Sequence, residues 1–113
     1  MINKQILVGN LGEDPDVKFT PAGKAVANFS VATSFGSGDA KKTTWHRVVA
    51  WEKTAEACGK YLKKGSKVYV EGRTDHRQYE KDGATRYVTE VVANEVKFLD
   101  SAQGKDKAEN PFG

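Results

Sequence analysis

The stretch Thr43-Thr44-Trp45-His46-Arg47-Val48-Val49-Ala50-Trp51 constrains the fold more than any other part of the chain. It is dense in β-branched and aromatic residues and holds both tryptophans, a composition that fits a pleated strand. Side chains alternate across a strand, so Trp45, Arg47, Val49 and Trp51 share one face and His46, Val48 and Ala50 the other. A face with two indoles around a guanidinium suits a ligand that is both aromatic and anionic, because every base has a π-face and every phosphate a charge. The same face could equally be core. The strand alone leaves both readings open.

The flanking segments supply a frame for it. Gln5 to Leu11 is a near-continuous apolar run, the pattern of a strand covered on both faces, and Gly12-Glu13-Asp14-Pro15 breaks or redirects it. Asp16 to Thr20 alternates again, with Val17 and Phe19 on one side. Pro21-Ala22-Gly23-Lys24 is a turn, and Ala25 to Ser34 returns with Ala27, Phe29 and Val31 inward. A polar, glycine-containing loop, Phe35 to Lys42, precedes the tryptophan strand.

After Trp51 the period changes. Ala55, Cys58, Tyr61 and Leu62 form one apolar stripe along a short helix, with Thr54 as N-cap and Gly65 as the stop. Cys58 on that stripe reads as a small buried hydrophobe. Lys67 to Arg73 is a strand with Val68 and Val70 inward. A long hairpin arm from Thr74 to Thr85 then turns at Asp82-Gly83 and carries His76, Arg77, Tyr79 and Lys81, with Arg86 just beyond it. Tyr79 has cations around it and no apolar neighbours. Tyr87 to Leu99 closes the set, with Val88, Val92, Val96 and Phe98 on one face. Five strands with a single helix between the third and fourth are the layout of an all-β, five-stranded OB-fold barrel, whose second and third strands bind oligonucleotides.

Charge agrees with an anionic partner. The 113 residues carry a net charge of +3, yet residues 41–86 hold twelve of the eighteen Lys and Arg and only six of the fifteen Asp and Glu. One cysteine excludes an intrachain disulfide framework and fits a reducing cytoplasm. One cysteine and two scattered histidines make no metal-ligand pattern, so no metal or cofactor is expected. His46 and His76 lie on different elements with no nucleophile–base spacing, so no catalytic residues are expected either. No apolar run is long enough to span a membrane.

The motifs Ile6-Leu7-Val8-Gly9-Asn10-Leu11-Gly12-x-Asp14-Pro15, Ala25-Val26-Ala27-Asn28-Phe29-Ser30-Val31-Ala32-Thr33 and Trp45-His46-Arg47-Val48-Val49 occur in order. Tyr61-Leu62-x-Lys64-Gly65-Ser66-x-Val68-Tyr69-Val70-Glu71-Gly72 and Arg86-Tyr87-x-Thr89-Glu90-Val91 follow. Together they resemble the bacterial single-stranded DNA-binding protein family over roughly residues 2–99. The resemblance implies an OB-fold domain at 1–99 and a homotetramer that wraps single-stranded DNA in replication, recombination and repair, in the cytoplasm with the nucleoid.

By position, the family's stacking aromatics resemble Trp45, Trp51 and Tyr79. Trp51 stands where a phenylalanine is common and Tyr79 where a tryptophan is common. A loop tryptophan of the family has no counterpart here, and Phe35 is the nearest aromatic. Arg47, Lys53, Lys64, Arg73 and Arg77 resemble phosphate-contacting cations, with Lys4 a further candidate. His46 resembles a histidine near the family's subunit interface. Residues 100–113 form a short tail, expected to be disordered, that ends in Pro111-Phe112-Gly113. Pro111 and Phe112 resemble the family's partner-docking tip, although the charge here is mixed and a glycine follows the phenylalanine. A frayed polar terminus fits the same residues. The alternative function is an OB-fold primosomal accessory module that binds proteins and holds nucleic acid weakly.

Overall fold

The structure, a computed structural model, describes residues 1–99. Pro111 and Phe112 lie outside the described residues. Six strands and one helix follow in the order β1 (Gln5–Leu11), β2 (Asp16–Phe19), β3 (Ala25–Phe35), β4 (Lys42–Trp51), α1 (Glu52–Tyr61), β5 (Lys67–Lys81) and β6 (Ala84–Phe98). A single 3-10 turn, Gly38–Ala40, interrupts the β3–β4 loop. The strand expected to bend at Gly12–Pro15 is divided there into β1 and β2, so the helix falls between the fourth and fifth strands.

Five of the strands form a ring in the order β1-β5-β6-β4-β3, closed where Asn10 and Leu11 of β1 pair with Ala32 and Val31 of β3. β2 pairs with Ala25 to Asn28 on the same edge of β3, beside this closure. Closure demands close backbone approach at Gly9, where an added Cβ would stand 2.1 Å from the Ala32 carbonyl oxygen. The ring's inside is filled by alternate residues of each strand: Leu7 and Leu11, Ala27, Phe29 and Val31, Val48 and Ala50, Val68 and Val70. Helix α1 covers one end of this core with Ala55 and Cys58, and Leu62 follows just beyond it. Burial pushes the Cys58 thiol up to about 11, so the group is a neutral packing element at physiological pH.

Local expectations for β1, for the helix and its ends, and for β6 are corrected. β1 is covered on one face only: Leu7 and Leu11 are buried, while Ile6 and Val8 stand about half exposed at 54% and 48%. The helix begins at Glu52, directly after β4, with no side-chain cap, so Thr54 lies inside it rather than at the N-cap. Gly65 lies beyond the helix end, in the turn to β5 at φ 90°, where its N–H donates to Leu11. Tyr61 leaves the apolar stripe, stands exposed and packs its ring 5.8 Å from that of Phe98.

The third correction concerns β6. Val91 and Ala93 enter the core, joined by Val96, in place of the expected face of Val88, Val92, Val96 and Phe98. The cause is a bulge. Glu71 pairs with Glu95 but Gly72 pairs with Ala93, leaving Asn94 as an extra residue that inverts the alternation on its two sides. Val88 and Val92 are thereby turned to the outer surface.

Because the Gly9 Cβ position is occupied by a backbone carbonyl that cannot rotate away, Gly9→Ala should destabilise the domain by about 1–3 kcal/mol, the usual range for overpacking. Urea denaturation measures this. A change within error would mean that β1 and β3 do not cross there.

Candidate nucleic-acid interface

Strand β4 lies between β3, to which it runs antiparallel, and β6, to which it runs parallel. Residues directly opposite on neighbouring strands share a face, so the registers extend the tryptophan face across the sheet. Arg47 stands between Ser30 and Glu90, and Val49 between Asn28 and Val92. Beyond them Glu90 is opposite Asp75, Val92 opposite Arg73, Val88 opposite Arg77, and Arg86 opposite Tyr79. One continuous outer surface therefore carries Trp45, Arg47 and Trp51 from β4, and Arg73, Arg77 and Tyr79 from β5. The bulge at Asn94 is what brings Val92 and Glu90 into phase with it.

The aromatics on this surface are open to solvent: Trp45 is 60% exposed, Trp51 43% and Tyr79 42%. Val49 is buried but belongs to the outer side, apart from the core cluster, and forms the floor between the two indoles. Trp45 and Trp51 are six residues apart on one strand, or about 20 Å. The Trp45 ring lies over Gly12, where an added Cβ would come within 2.4 Å of the indole. Lack of a side chain at Gly12 thus gives the ring its seat.

The cations differ in availability. Among the described residues Arg47, Arg73 and Arg86 have no ion pair. Arg77 is held by Glu90 through two bonds, Nε to Oε1 at 2.9 Å and Nη2 to Oε2 at 3.1 Å, and its guanidinium lies 5.9 Å from the Tyr79 ring centroid. Those contacts raise the Arg77 pKa, mainly through the Glu90 hydrogen bonds. Lys4 is engaged by Glu71 at 3.2 Å, and Glu71 also accepts from the Tyr69 hydroxyl at 2.7 Å; together these hold the Glu71 carboxyl below the usual carboxylate range. Lys53 is exposed in the first turn of α1, next to Trp51. Lys64 sits in the α1–β5 turn, off the sheet face, with its backbone N–H donating to Asp14.

Two singled-out residues fall elsewhere. Phe35 pairs with Lys42 in the register that puts it on the side of Thr33 and His46, so although it is 86% exposed it points away from the Trp45 surface. His46 lies on the core side of β4, where its ring nitrogen is 2.8 Å from the Thr33 hydroxyl and burial lowers its pKa. Sequence reasoning missed Glu90 and Gly12. A carboxylate amid Thr89, Val91 and Val92 was the available signal for the first, since an ionised group in an apolar strand needs a partner.

One flank of the surface is acidic. A hollow of about 210 Å³ beside Arg47 is walled by Glu13, Asp14 and Asp16, which would repel phosphate and direct an anionic chain from β4 toward β6 and β5. Among the described residues no group of three His, Cys, Asp or Glu could hold a metal ion, and no helix is long and apolar enough to cross a membrane.

A family model described as the single-strand binding protein family matches residues 2–99. The chain belongs to this family. Curated single-stranded DNA-binding proteins of two Neisseria meningitidis strains are 49% identical to it over 104 residues, covering 87% of the chain and 60% of their own length. The chain thus spans little more than half the length of these relatives. Single-stranded DNA-binding protein 1 of Chlorobaculum tepidum is 43% identical, covering 95% of the chain and 72% of the relative. Among solved structures, a Plasmodium falciparum SSB in complex with single-stranded DNA superposes with a TM-score of 0.81 at 35% identity, covering 88% of the chain and 96% of the neighbour. The ring of five strands with its one helix is accordingly the OB-fold of this single-strand binding family member.

The Gly12 seat makes Trp45 sensitive to a residue in the connection between β1 and β2. Gly12→Val should lift the indole from the sheet and shift its fluorescence to longer wavelength, with Trp51 unaffected. An unchanged emission spectrum in a Trp51→Phe background would place the ring elsewhere.

Proposed function

We propose that this protein binds and protects single-stranded DNA without sequence preference, performing no chemistry on it, in replication, recombination and repair. The observation that carries this reading is the single outer surface on which three exposed aromatics alternate with cations. Arg47 and Arg73 attract phosphates and release counterions, while Trp45, Trp51 and Tyr79 accept the bases by stacking. Duplex DNA offers this surface phosphates only, since its bases already stack on one another.

Two energetic consequences follow. Affinity falls with salt by about 0.7 log units per log unit of salt for each phosphate contacted. Each stacking aromatic replaced by alanine costs about 1–3 kcal/mol, the range usual for single-strand binders of this kind. Titrating the protein with oligo(dT) should quench tryptophan fluorescence, and Trp45→Ala and Tyr79→Ala should each weaken binding by at least about fivefold, equivalent to 1 kcal/mol. Absence of quenching, or equal quenching by duplex of the same length, contradicts the reading.

We further propose assembly into a homotetramer. Residues Gln5–Val8 of β1 pair with β5 on one side and, among the described residues, have no strand on their other edge, and the side chains of Ile6 and Val8 stand exposed beside it. An edge of that kind is completed by a second copy of the same strand, and the face behind it by a second pair. Several rings so joined would give one DNA strand more than one stacking surface to wrap. Solution light scattering should return four times the chain mass, and a monomer mass at micromolar concentration would overturn the assembly while leaving single-strand binding intact. The His46 contact, the docking of repair and replication proteins through Pro111 and Phe112, and residence with the nucleoid in the cytoplasm belong to the same proposal. A protein-interaction module fits less well, because such a role gives no reason to expose both tryptophans and leave the arginines between and beside them unpaired.

A further inference from the structure

A carboxylate is an odd group to find at the centre of a surface built for a polyanion. Glu90 lies there, 5% exposed, flanked in register by Arg47 on β4 and Asp75 on β5. It is the most deeply buried ionisable side chain on the outer face, and its two oxygens are both committed to Arg77. The Arg77 guanidinium, by contrast, remains 54% exposed in its side chain. The fork-to-fork pairing fixes the position of the guanidinium, and its charge is matched by a buried opposite one a hydrogen bond away. Three of its five N–H donors remain, but the pair as a whole is neutral to an approaching phosphate.

We propose that Glu90 is a positioning residue that withdraws Arg77 from the phosphate footprint. The inference rests on the single-strand binding reading above. Its effect is on selectivity: one cation fewer, Arg77, is offered to phosphate beside Arg47, Arg73 and Arg86, so a polyanion without free bases gains less from the face. Held this way, the guanidinium also lies beside the Tyr79 ring as a fixed cation. Arg77 then serves the aromatic and the sheet, and Arg47 and Arg73 serve the phosphates.

The test compares salt dependence in four proteins: wild type, Glu90→Gln, the paired Arg77→Gln/Glu90→Gln variant, and Arg47→Gln. Probes are oligo(dT), duplex of equal length and inorganic polyphosphate, which has charge but no base. Glu90→Gln keeps the shape of the side chain and frees the Arg77 charge. Its log–log salt slope for oligo(dT) should steepen by about 0.7, roughly a threefold larger loss of affinity between about 50 and 200 mM salt. Its affinity for polyphosphate and duplex at the lower salt should rise by a similar factor or more. The paired variant removes both charges at once and should keep the wild-type slope, whereas Arg47→Gln should flatten it by about 0.7.

Thermal melts of each variant accompany the titrations. Should Glu90→Gln fail to fold, the paired variant still decides, because its two amides can bond each other. A paired variant whose slope flattens as much as that of Arg47→Gln would overturn the proposal, since Arg77 would then contact phosphate despite Glu90. So would a folded Glu90→Gln protein with wild-type slope and unchanged polyphosphate binding. Failure of the wild type to bind oligo(dT) at all would instead remove the functional reading beneath it.

Discussion

The short parallel pairing of β4 with β6, Arg47 to Val49 against Glu90 to Val92, is the contact on which the rest depends. It joins the β3–β4 hairpin to the β5–β6 arm directly, where β1 links them only from the far side of the ring through its pairings with β3 and β5. On the inner side it closes Val48 against Val91 in the core. On the outer side it sets Arg47 beside Glu90 and Val49 beside Val92, so that aromatics and cations from distant parts of the chain occupy one surface. Shifting this pairing by one residue would exchange the inner and outer sets of β6 and bring neither a sealed core nor a continuous face.

Alternation made much of this legible beforehand. Period-2 patterning in β3 and β5 identified Ala27, Phe29, Val31, Val68 and Val70 as inward, and in β4 it grouped Trp45, Arg47 and Trp51 on one face, as found; which face of β4 is core it left open, and Val48 and Ala50 fill that place. The Asp82-Gly83 turn was legible because both residues take positive φ, 54° and 76°, which suits a two-residue hairpin. What alternation cannot reveal is a change of phase. Val88, Val92 and Val96 are four apart and read as one face, but the extra residue at Asn94 puts Val96 inside and the other two outside. The placement of Phe35 was hidden for a related reason: its side relative to Trp45 depends on the hairpin register across the 36–41 loop, which spacing along the chain does not determine.

The helix boundary shows a different limit. Thr54 has good capping chemistry, yet β4 runs straight into α1 and Glu52 takes a left-handed φ of 55° at the junction. Tertiary packing of Ala55 and Cys58 over the open end of the ring outweighs the local preference for a capped start. The candidate site is similarly a product of context. Arg77 and Lys4 look like Arg47 and Arg73 in sequence, and only their partners Glu90 and Glu71 separate bound cations from open ones.

The central claim is that one side of the β4–β6–β5 sheet receives the DNA strand and the other does not. Chemical-shift mapping of the isotope-labelled protein with oligo(dT) tests it most directly. The account predicts large shifts at the Trp45 and Trp51 indoles, Tyr79, Arg47 and Arg73, with Phe35, His76 and Tyr87 on the opposite side largely unmoved. Shifts concentrated at Phe35, His76 and Tyr87, with the two indoles unchanged, would contradict it.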